Sequence, residues 1–253
     1  APPLKKTTKK VVELKNFTTK PTFSNISFSI ATGEILGMTG LLGSGRTELA
    51  EAIFGQYPVD SGEIIVDGKP IHLNSSSEAL KAGIGYVPPD RLTQGLFLEQ
   101  SILNNLVAVG IDQYQSRGGR LSKSRLAQAG ERWIKDLRIK TNNPQNPVTS
   151  LSGGNQQKTV LAKWLATDPD LLIVDEPTRG IDVATKAEVH RLVNQAASEG
   201  KAVLMISSEL PEVLGMADRI IVMREGKQVA ELSRKEATQE KIIAAATTGK
   251  RSA

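Results

Sequence analysis

Three glycines, a basic residue and a hydroxyl side chain fall within one short stretch, TGLLGSGRTEL at Thr39–Leu49. Their spacing follows the phosphate-loop pattern G-x-x-x-x-G-[basic]-[ST], whose defined positions are Gly40, Gly45, Arg46 and Thr47. Glycines let successive backbone N–H groups curve around an anion, and the dipole of a following helix favours negative charge there. The pattern predicts a nucleotide phosphate site in which Thr47 ligates Mg²⁺ and Arg46 replaces the Lys of the motif.

Two adjacent carboxylates end an apolar run in LLIVDEP, at Leu171–Pro177. A buried strand that ends in two acidic side chains is costly unless a cation lies close to them. We expect Asp175 to hold Mg²⁺ through water and Glu176 to orient or deprotonate an attacking water. Because a phosphate loop precedes this pair in the same chain, a catalytic nucleotide site explains it better than a solvent-exposed acidic pair does.

A third stretch, LSGGNQQKTVLAKWLATDP at Leu151–Pro169, predicts a helix that begins after Ser152. Serine is a preferred N-cap residue, and Gly153 and Gly154 leave the first turn uncovered. Each glycine weakens a helix by about 1 kcal/mol relative to alanine, so an ordinary capped helix does not account for both. A hydroxyl beside bare N–H groups predicts a second anion site.

The antiparallel strands that surround these motifs are predicted by alternation of apolar and polar residues. Such alternation covers Lys10–Thr18 and Ser24–Ile30, which read as half-buried strands. The stretch Gly62–Ile71 predicts a hairpin with Asp67-Gly68 as its two-residue turn.

Short apolar runs without alternation predict a second set of strands, buried on both faces. They are Gly33–Gly40, Gly83–Pro89 (ended by its two prolines), Leu171–Thr178, Ala202–Ser208 and Arg219–Gly226. Helical stretches separate the last three, and strand, helix and strand in repetition predict a parallel sheet.

Helical periodicity predicts a helix at Arg46–Gly55 and another, weakly amphipathic, at Lys235–Lys250. Between about residues 96 and 164 β-branched runs disappear and helical spacing dominates, which predicts a helical insert. The polar stretch Gln113–Arg120 predicts a flexible loop inside this insert.

The composition of the 253 residues fits an α/β core, with 39% hydrophobic and only 4% aromatic residues. The formal charge is +5, and several of the lysines crowd into KKTTKK at Lys5–Lys10, which we interpret as a solvated arm. No cysteine is present, which excludes disulfides and thiolate metal sites and favours a reducing compartment. No apolar run approaches the ~18–20 residues of a membrane span, and APPLKKTTKK lacks the apolar segment of a signal peptide.

The motifs, taken in order, resemble those of ATP-binding-cassette (ABC) ATPases. LSGGNQQ resembles the signature motif of the family, LLIVDEPT its Walker B strand, and RGID at Arg179–Asp182 its D-loop. The resemblance covers about residues 10–235 and implies ATP and Mg²⁺ as cofactors. It also implies an α/β fold with a P-loop NTPase (RecA-like) core, an antiparallel β-subdomain and a helical insert. The implied divisions are a linker at 1–10, the core with its β-subdomain at 11–95 and 165–235, a helical subdomain at 96–164, and a C-terminal helix and tail at 236–253.

More narrowly, GEILGMTGLLGSGRTEL, LSGGNQQK, DEPTRGIDV and ISSELPEVLGMADRIIVM resemble the second ATPase half of bacterial importers for simple sugars. Importers of ribose, galactose, xylose and autoinducer-2 share this pattern. The resemblance implies an N-terminal ATPase half in the same polypeptide, transmembrane permease subunits and, indirectly, a periplasmic sugar-binding protein as partners. It implies a peripheral location at the cytoplasmic face of the bacterial inner membrane, with no nucleic acid bound.

Three positions depart from the pattern of the family. Arg46 replaces the phosphate-binding Lys, Pro89 occupies the Q-loop position and Ser208 the switch-histidine position. Arginine keeps the charge but is a bulkier planar fork, proline has neither an amide side chain nor an N–H, and serine supplies no cation. We therefore expect this site to bind ATP and to hydrolyse it slowly, with Glu176 retained.

The signature is intact, and in the family it acts on the nucleotide held by the opposite half. Ser152, Gly153 and Gly154 are therefore expected to act in trans. The implied cofactor-binding residues are Gly40, Leu41, Gly43, Ser44, Gly45, Arg46, Thr47, Glu48, Ser152, Gly153, Gly154, Asp182 and Ser208, with Asp175 and Glu176 catalytic and Thr47 and Asp175 as metal ligands.

Other positions receive weaker assignments from the same resemblance. The adenine-stacking aromatic of the family falls near Pro21, where Phe17 or Phe23 is a candidate substitute. The segment Pro88–Leu106 corresponds to the groove that receives a coupling helix from the permease, with Asp90 and Arg91 as expected contacts. The two histidines, His72 and His190, fall outside every motif and are interpreted as surface residues.

Two other functions remain open on the sequence alone. One is a non-transport ABC ATPase that acts on DNA or ribosomes, which the basic balance favours slightly. Such proteins usually insert a coiled coil, a zinc module or a long arm in the helical region, and the insert here has no room for one. The other is a purely regulatory nucleotide-binding half.

Overall fold

The computed structural model describes residues 10–115 and 119–249 of the chain. The predicted arm at 1–10, except Lys10, therefore lies outside the described residues, as does the middle of the polar loop predicted at 113–120. Within these limits the chain divides into two compact units. The first comprises 10–86, 169–177 and 193–249, and the second comprises 87–115, 119–168 and 178–192.

The strands and helices are numbered in chain order. The strands are β1 (Lys10–Thr19), β2 (Phe23–Ala31), β3 (Ile35–Gly40), β4 (Ser61–Val66), β5 (Lys69–Ile71), β6 (Ile84–Val87), β7 (Leu171–Asp175), β8 (Ala202–Ile206), β9 (Arg219–Arg224) and β10 (Lys227–Ser233). The helices are α1 (Arg46–Ile53), α2 (Ser76–Lys81), α3 (Ile102–Val107), α4 (Lys123–Asp136), α5 (Gly153–Leu165), α6 (Val183–Ser198), α7 (Leu210–Met216) and α8 (Gln239–Thr248).

An antiparallel sheet with the order β2-β1-β4-β5 confirms the strands predicted from alternation. Along β2 the apolar side chains point into the core, and Ile26 and Ile30 are fully buried. The β4–β5 hairpin turns at Asp67 and Gly68, whose φ values of 47° and 75° are those that a two-residue turn with right-handed strand twist requires.

The second sheet has the order β10-β9-β3-β8-β7-β6. β3 pairs in parallel with β8 and β9, β7 pairs in parallel with β8, and β10 pairs antiparallel with β9. This confirms the parallel sheet predicted from short apolar runs, with β3 at its centre. The carboxyl ends of β3, β7 and β8 lie at one edge, where open α/β sheets bind ligands. The stretches that follow these ends are Gly40–Gly45, Glu176 and Ser207-Ser208.

The second unit is helical, as predicted for the insert. Within it α3 packs against α4 and α5, and Ile102, Leu106 and Val160 are buried. A short 3₁₀ helix at Ile111–Tyr114 occupies the start of the stretch predicted as a loop. Among the residues that the structure describes, no helix has both the length and the apolar character needed to cross a bilayer.

The predicted C-terminal helix is α8, which packs on β9, β10 and α7 in the first unit. Its buried residues Ile242, Ala245 and Ala246 join Val213 and Ile220 in one apolar cluster. Burial of this face explains why a helix with weak amphipathic character in sequence is nevertheless formed.

Candidate functional site

The stretch between β3 and α1 forms a loop whose most tightly constrained positions can be occupied only by glycine. Gly43 and Gly45 have φ values of 76° and 88°, a left-handed region that other residues rarely adopt. A Cβ on Gly40 would lie 2.3 Å from Met223 O. Gly45 is the N-cap of α1 and offers no side-chain cap, and the helical bonds begin with Leu49 N–H, which donates to Gly45 O at 3.0 Å. The amides of the first turn therefore remain available to an anion.

Two other turns of the first unit are held against this loop. Gly226 N–H donates to Ser44 O at 3.0 Å, and Gly226 O accepts from Ser24 N–H at 2.8 Å. A Cβ on Gly226 would lie 2.3 Å from Thr22 O, and one on Gly45 would lie 2.9 Å from the same oxygen. The loop, the β9–β10 turn and the β1–β2 turn thus meet backbone to backbone.

Arg46, the first residue of α1, directs its guanidinium into the loop. Nη1 donates to Gly40 O and, at 3.1 Å, to Leu41 O. Nη2 forms an ion pair with Glu176 Oε1 at 3.1 Å, and the residue is only 8% exposed. The cation of the motif is therefore bonded to the loop's own carbonyls and to the carboxylate that follows β7.

Both carboxylate oxygens of Glu176 accept hydrogen bonds. Oε1 accepts from Ser208 N–H at 2.9 Å as well as from Arg46, and Oε2 accepts from the Ser208 hydroxyl at 3.0 Å. The backbone of Glu176 is left-handed, with φ of 47°, and its N–H donates to Ile206 O at 2.8 Å. The structure thus brings together Arg46, Glu176 and Ser208, which the sequence separates widely.

Asp175 ends β7 fully buried, and neither of its carboxylate oxygens makes a hydrogen bond of normal geometry, although the hydroxyls of Thr47 and Tyr86 lie close to it. Burial raises the pKa of Asp175 to about 7, and although the Thr47 hydroxyl and Arg46 lower this pKa, Glu176 raises it further. The hydroxyls of Ser44 and Tyr86 are likewise buried without a hydrogen bond of normal geometry. Burial, followed by the charge of Asp175, raises the pKa of Tyr86 as well.

A buried carboxylate without a partner is costly, because ionising it in a low dielectric requires a nearby cation. Asp175 and Thr47 fit the predicted Mg²⁺ site on this observation. Among the described residues no group of three or more acidic, histidine or cysteine side chains could hold a metal alone. Mg²⁺ suits such a sparse site, since it keeps several waters and takes its other ligands from phosphates.

In the second unit, Ser152 is the N-cap residue of α5, as predicted, but its hydroxyl caps no backbone amide. Instead Ser152 Oγ accepts from Asn155 Nδ2 at 3.0 Å. The first amides of α5 therefore keep no side-chain cap, which agrees with the anion site that the sequence predicts. Gly154 has a packing role as well, because a Cβ there would lie 2.4 Å from Thr185 Cγ2.

Asp182 precedes α6 in the same unit and caps that helix. Its Oδ1 accepts from Thr185 N–H at 3.0 Å and its Oδ2 from Thr185 Oγ1 at 2.7 Å. These bonds lower the pKa of Asp182. A role in cofactor binding, predicted from its D-loop position, stays a prediction.

The segment after β6 begins with Pro88 and Pro89, and the strand ends at Val87 as the prolines predict. A single turn of π-helix follows at Arg91–Gly95, capped by Asp90, and amide bonds from this turn lower the pKa of Asp90. Arg91 directs its guanidinium to Gln156 and to the stretch after β7 rather than outward. Sequence reasoning, which assigns Arg91 to the groove for the permease, missed these bonds, and the contact with the permease stays a prediction.

The candidates for adenine stacking were wrong. Phe17 and Phe23 are 3% and 1% exposed and stack on each other in the core of the first unit, with ring centroids 6.0 Å apart. Strict alternation along β1 and β2 does not assign either ring to the buried face, because register shifts separate both from the neighbouring buried positions of their strands. His72 is exposed as expected, whereas His190 is partly buried on α6.

Comparisons with known proteins identify the family of the chain. The family described as ABC transporter matches residues 23–179, more than half of the chain. The ribose import ATP-binding protein RbsA of Rhodococcus jostii (strain RHA1) is 53% identical over 237 residues, which cover 94% of this chain and 47% of that protein. Ribose import ATP-binding protein RbsA 1 of Streptomyces coelicolor is 50% identical over 238 residues, with 94% and 47% covered. The chain thus spans about half the length of these relatives.

Solved structures share the fold. The ADP conformation of an ATP-binding cassette of an ABC transporter superposes with a TM-score of 0.79 at 21% identity, covering 95% of this chain and 96% of that one. A nucleotide-free ATP-binding cassette from an ABC transporter superposes with a TM-score of 0.77 at 21% identity, covering 90% and 93%. With its glycine loop, buried carboxylate and signature stretch, the chain belongs to the ABC transporter family, as an ATP-binding-cassette ATPase domain.

Proposed function

We propose that this chain is one ATPase half of an importer for ribose or a related simple sugar. The observation that carries the proposal is Asp175, a carboxylate buried without a hydrogen bond of normal geometry where β7 ends, in the unit that also holds the glycine loop. The two relatives named for ribose import match 94% of the chain and support the choice of sugar. Since the chain spans about half of each, the activity of a whole importer remains part of the proposal.

ATP and Mg²⁺ are the proposed cofactors. The loop amides at 40–48 bind the phosphates, and the positive end of the α1 dipole favours their charge. Thr47 and Asp175 hold the metal, which when bound neutralises charge that develops on the phosphates. The buried carboxylate of Asp175 supports this assignment, since a nearby Mg²⁺ would compensate its charge.

We propose that the site built on Arg46 turns ATP over slowly. Glu176 is the group that would accept a proton from the attacking water, and both of its oxygens are bonded to Arg46 and Ser208. The carboxylate must release at least one of these donors before it can act as a base. Pro89 and Ser208 add to the impairment, because neither offers the amide or cation that the family pattern has at these positions.

The signature is proposed to act in trans, on the nucleotide that the other ATPase half holds. The uncapped first turn of α5 and the exposed hydroxyl of Ser152 support this, with Gly153, Gly154 and Asp182 nearby in the same unit. In this arrangement Ser152 touches the phosphate and the α5 dipole favours its charge.

The remaining proposed partners follow from the role of the chain as one half of an importer. They are the N-terminal half of the same polypeptide, permease subunits that contact the segment 88–106, and a periplasmic sugar-binding protein that acts indirectly. The working location is the cytoplasmic face of the inner membrane. The proposed functional divisions remain the core with its β-subdomain at 11–95 and 165–235 and the helical subdomain at 96–164.

Calorimetric titration of the chain with a non-hydrolysable ATP analogue tests the central proposal. We expect saturable binding in Mg²⁺, weakened about tenfold by Asp175→Asn, because one charged metal ligand is lost. Asp112→Asn, at an exposed aspartate of the second unit, is the matched control and should bind as the wild type does. Absence of binding at millimolar analogue by the folded chain would refute the proposal.

A further inference from the structure

The guanidinium of Arg91 joins three separate stretches of the second unit. Nε donates to Gln156 Oε1 at 3.4 Å, on α5. Nη1 donates to Arg179 O at 3.0 Å and Nη2 to Gly180 O at 3.3 Å, in the stretch that leads to Asp182. Arg91 itself begins the π-helical turn, so one side chain links this turn to the signature helix and to the D-loop stretch.

Two glycines leave room for the planar guanidinium of Arg91, which we call its fork. A Cβ on Gly153 would lie 2.9 Å from Arg91 Nη2, and one on Gly180 would lie 3.4 Å from Nη1. Gly180 also has φ of 68°, which favours glycine independently. Gly153 is the first residue of α5, so part of the glycine pattern in the signature is explained by the approach of Arg91.

The bonds of Arg91 use the geometry of arginine rather than its charge alone. Among the described residues Arg91 forms no ion pair, and two of its three acceptors are backbone carbonyls. Three nitrogens in one rigid plane reach three acceptors, which a lysine with a single ammonium cannot do. Loss of this fork would leave the Arg179 and Gly180 carbonyls and the Gln156 side chain without their shared donor.

The turn that carries Arg91 also carries exposed apolar side chains. Leu92 is 45% exposed and Phe97, just beyond the turn, is 57% exposed. The turn is fixed at its start by Asp90, whose Oδ1 accepts from Leu92 N–H at 2.9 Å, and at its end by Lys163 Nζ, which donates to Gly95 O. A displacement of this anchored turn would therefore be passed through Arg91 to α5 and to the stretch at 179–182.

We propose that Arg91 is a positioning residue for the signature: it holds Ser152 and Asp182 in the arrangement needed to act on the nucleotide of the opposite half. The inference rests on the proposed function, since it assigns a residue that serves the trans-acting signature. Arg91 touches no nucleotide in this proposal, so its loss should lower turnover and leave ATP binding intact.

The test measures kcat and KM for ATP with the full-length two-half protein. We expect Arg91→Gln to lower kcat about 10-fold to 100-fold while KM changes less than about 2-fold, because misplaced groups weaken the transition state more than substrate binding. Arg91→Lys should give the same loss, since charge without the fork is insufficient. Arg132→Gln, at an exposed residue of α4, is the matched control and should keep both constants.

A double-mutant cycle separates this role from general structural support. If Arg91 acts through the signature, Arg91→Gln should lower kcat by less than about 3-fold in a Ser152→Ala background, because residues that act as a unit are not additive. Full additivity, or a parallel change of kcat and KM, would overturn the inference. If Arg91→Gln does not fold, the changes in kcat and KM of Arg91→Lys decide between the two outcomes.

The outcomes also distinguish this inference from the proposed function. Failure of the wild-type chain to bind the ATP analogue would refute the proposed function itself. If the wild type binds and turns over ATP normally and Arg91→Gln keeps the wild-type kcat, only the proposed role of Arg91 would be refuted.

Discussion

At the scale of single residues, the bonds of Arg46 connect the binding of phosphate in the loop with the release of Glu176, the proposed base. Its guanidinium donates to Gly40 O and Leu41 O inside the phosphate loop and pairs with Glu176. A phosphate that enters the loop competes for the same guanidinium, because charge-assisted bonds from arginine to phosphate are strong. Binding of nucleotide should therefore loosen Arg46 from Glu176 as a direct consequence of where the fork lies.

Arg46→Lys should raise turnover at this site about tenfold, because a single ammonium cannot bond the loop carbonyls and Glu176 together. Phosphate release by the chain at saturating Mg²⁺-ATP measures the effect. Glu176→Gln in the same background should remove the gain, since the released carboxylate is the proposed base. Turnover equal to that of the wild type would show that the Arg46–Glu176 pair does not limit the reaction.

Residue types and spacing were enough to predict the loop glycines and the pair Asp175-Glu176, because a glycine-rich turn and a buried acidic pair in one chain suit few sites other than a nucleotide site. The direction of a long side chain is different. Arg46 and Arg91 both turn toward carbonyls of their own unit, and these rotamers depend on acceptors that the local pattern does not reveal. The error at Phe17 and Phe23 has another cause, because register shifts between β1 and β2 bring both rings to the buried face, out of phase with the alternation that the sequence shows.

At the scale of elements, the π-helical turn at Arg91–Gly95 depends on a buried lysine for its end. Lys163 of α5 is 5% exposed, donates to Gly95 O and lies 5.6 Å from the centre of the Phe97 ring. Burial lowers the pKa of Lys163 from 10.5 to about 8. The lysine therefore combines a specific bond with a cost of desolvation.

The sign of the resulting pH dependence follows from proton binding. Between pH 8 and 10.5 the unfolded chain keeps the Lys163 proton while the folded chain loses it, so stability rises with pH in this window. Below pH 8 the folded chain carries the buried charge and the full cost is present. We expect the free energy of unfolding of the wild type to gain about 2 to 3 kcal/mol relative to Lys163→Met as pH rises from about 7.5 to 10.5.

Urea denaturation at the two pH values measures this difference. Lys135→Met, at an exposed position of α4, is the matched control and isolates the effect of burial. A gap between wild type and Lys163→Met that stays constant with pH would contradict the prediction.

The strands and most helices could be predicted from sequence because their periods are local. Strands that are buried on both faces, such as β3 and β7, show no alternation of apolar and polar residues. A strand with one solvent-exposed face, such as β2, keeps that alternation. The π-helical turn could not be predicted, since its bonds from Gly95 N–H and Gln94 N–H converge on Asp90 O and its ends rest on distant partners. The packing of Gly154 against Thr185 is of the same kind.

At the scale of the whole molecule, the described residues include one proposed nucleotide site and one proposed signature, and the chain spans about half the length of its relatives. In the proposed two-half protein these two features serve different nucleotides. The departures at Arg46, Pro89 and Ser208 are proposed to weaken only the nucleotide site. An unequal pair of sites is therefore the expected organisation.

Substitutions in the full-length protein should show this inequality. Ser152→Arg should lower transport-coupled ATPase about 100-fold, because a bulky cation replaces the small group that meets the opposite phosphate. Glu176→Gln should change the same activity by less than about 2-fold, since its own site contributes little. Phosphate release coupled to ribose uptake, in vesicles that contain the permease, measures both effects. Activity that survives Ser152→Arg and is abolished by Glu176→Gln would reverse the assignment.

The meeting of three turns at Gly45, Gly226 and Thr22 has a consequence for how this chain tolerates change in length. Turns between neighbouring strands are usually the places where insertions, grafted peptides and new termini are accepted. Here the β9–β10 turn donates a backbone hydrogen bond to the loop, from Gly226 N–H to Ser44 O at 3.0 Å. The β1–β2 turn lies so close to the loop that a Cβ on Gly45 would be 2.9 Å from Thr22 O. Lengthening either turn would shift the loop itself, so both are closed to grafting and circular permutation, although each joins strands that are adjacent in sequence.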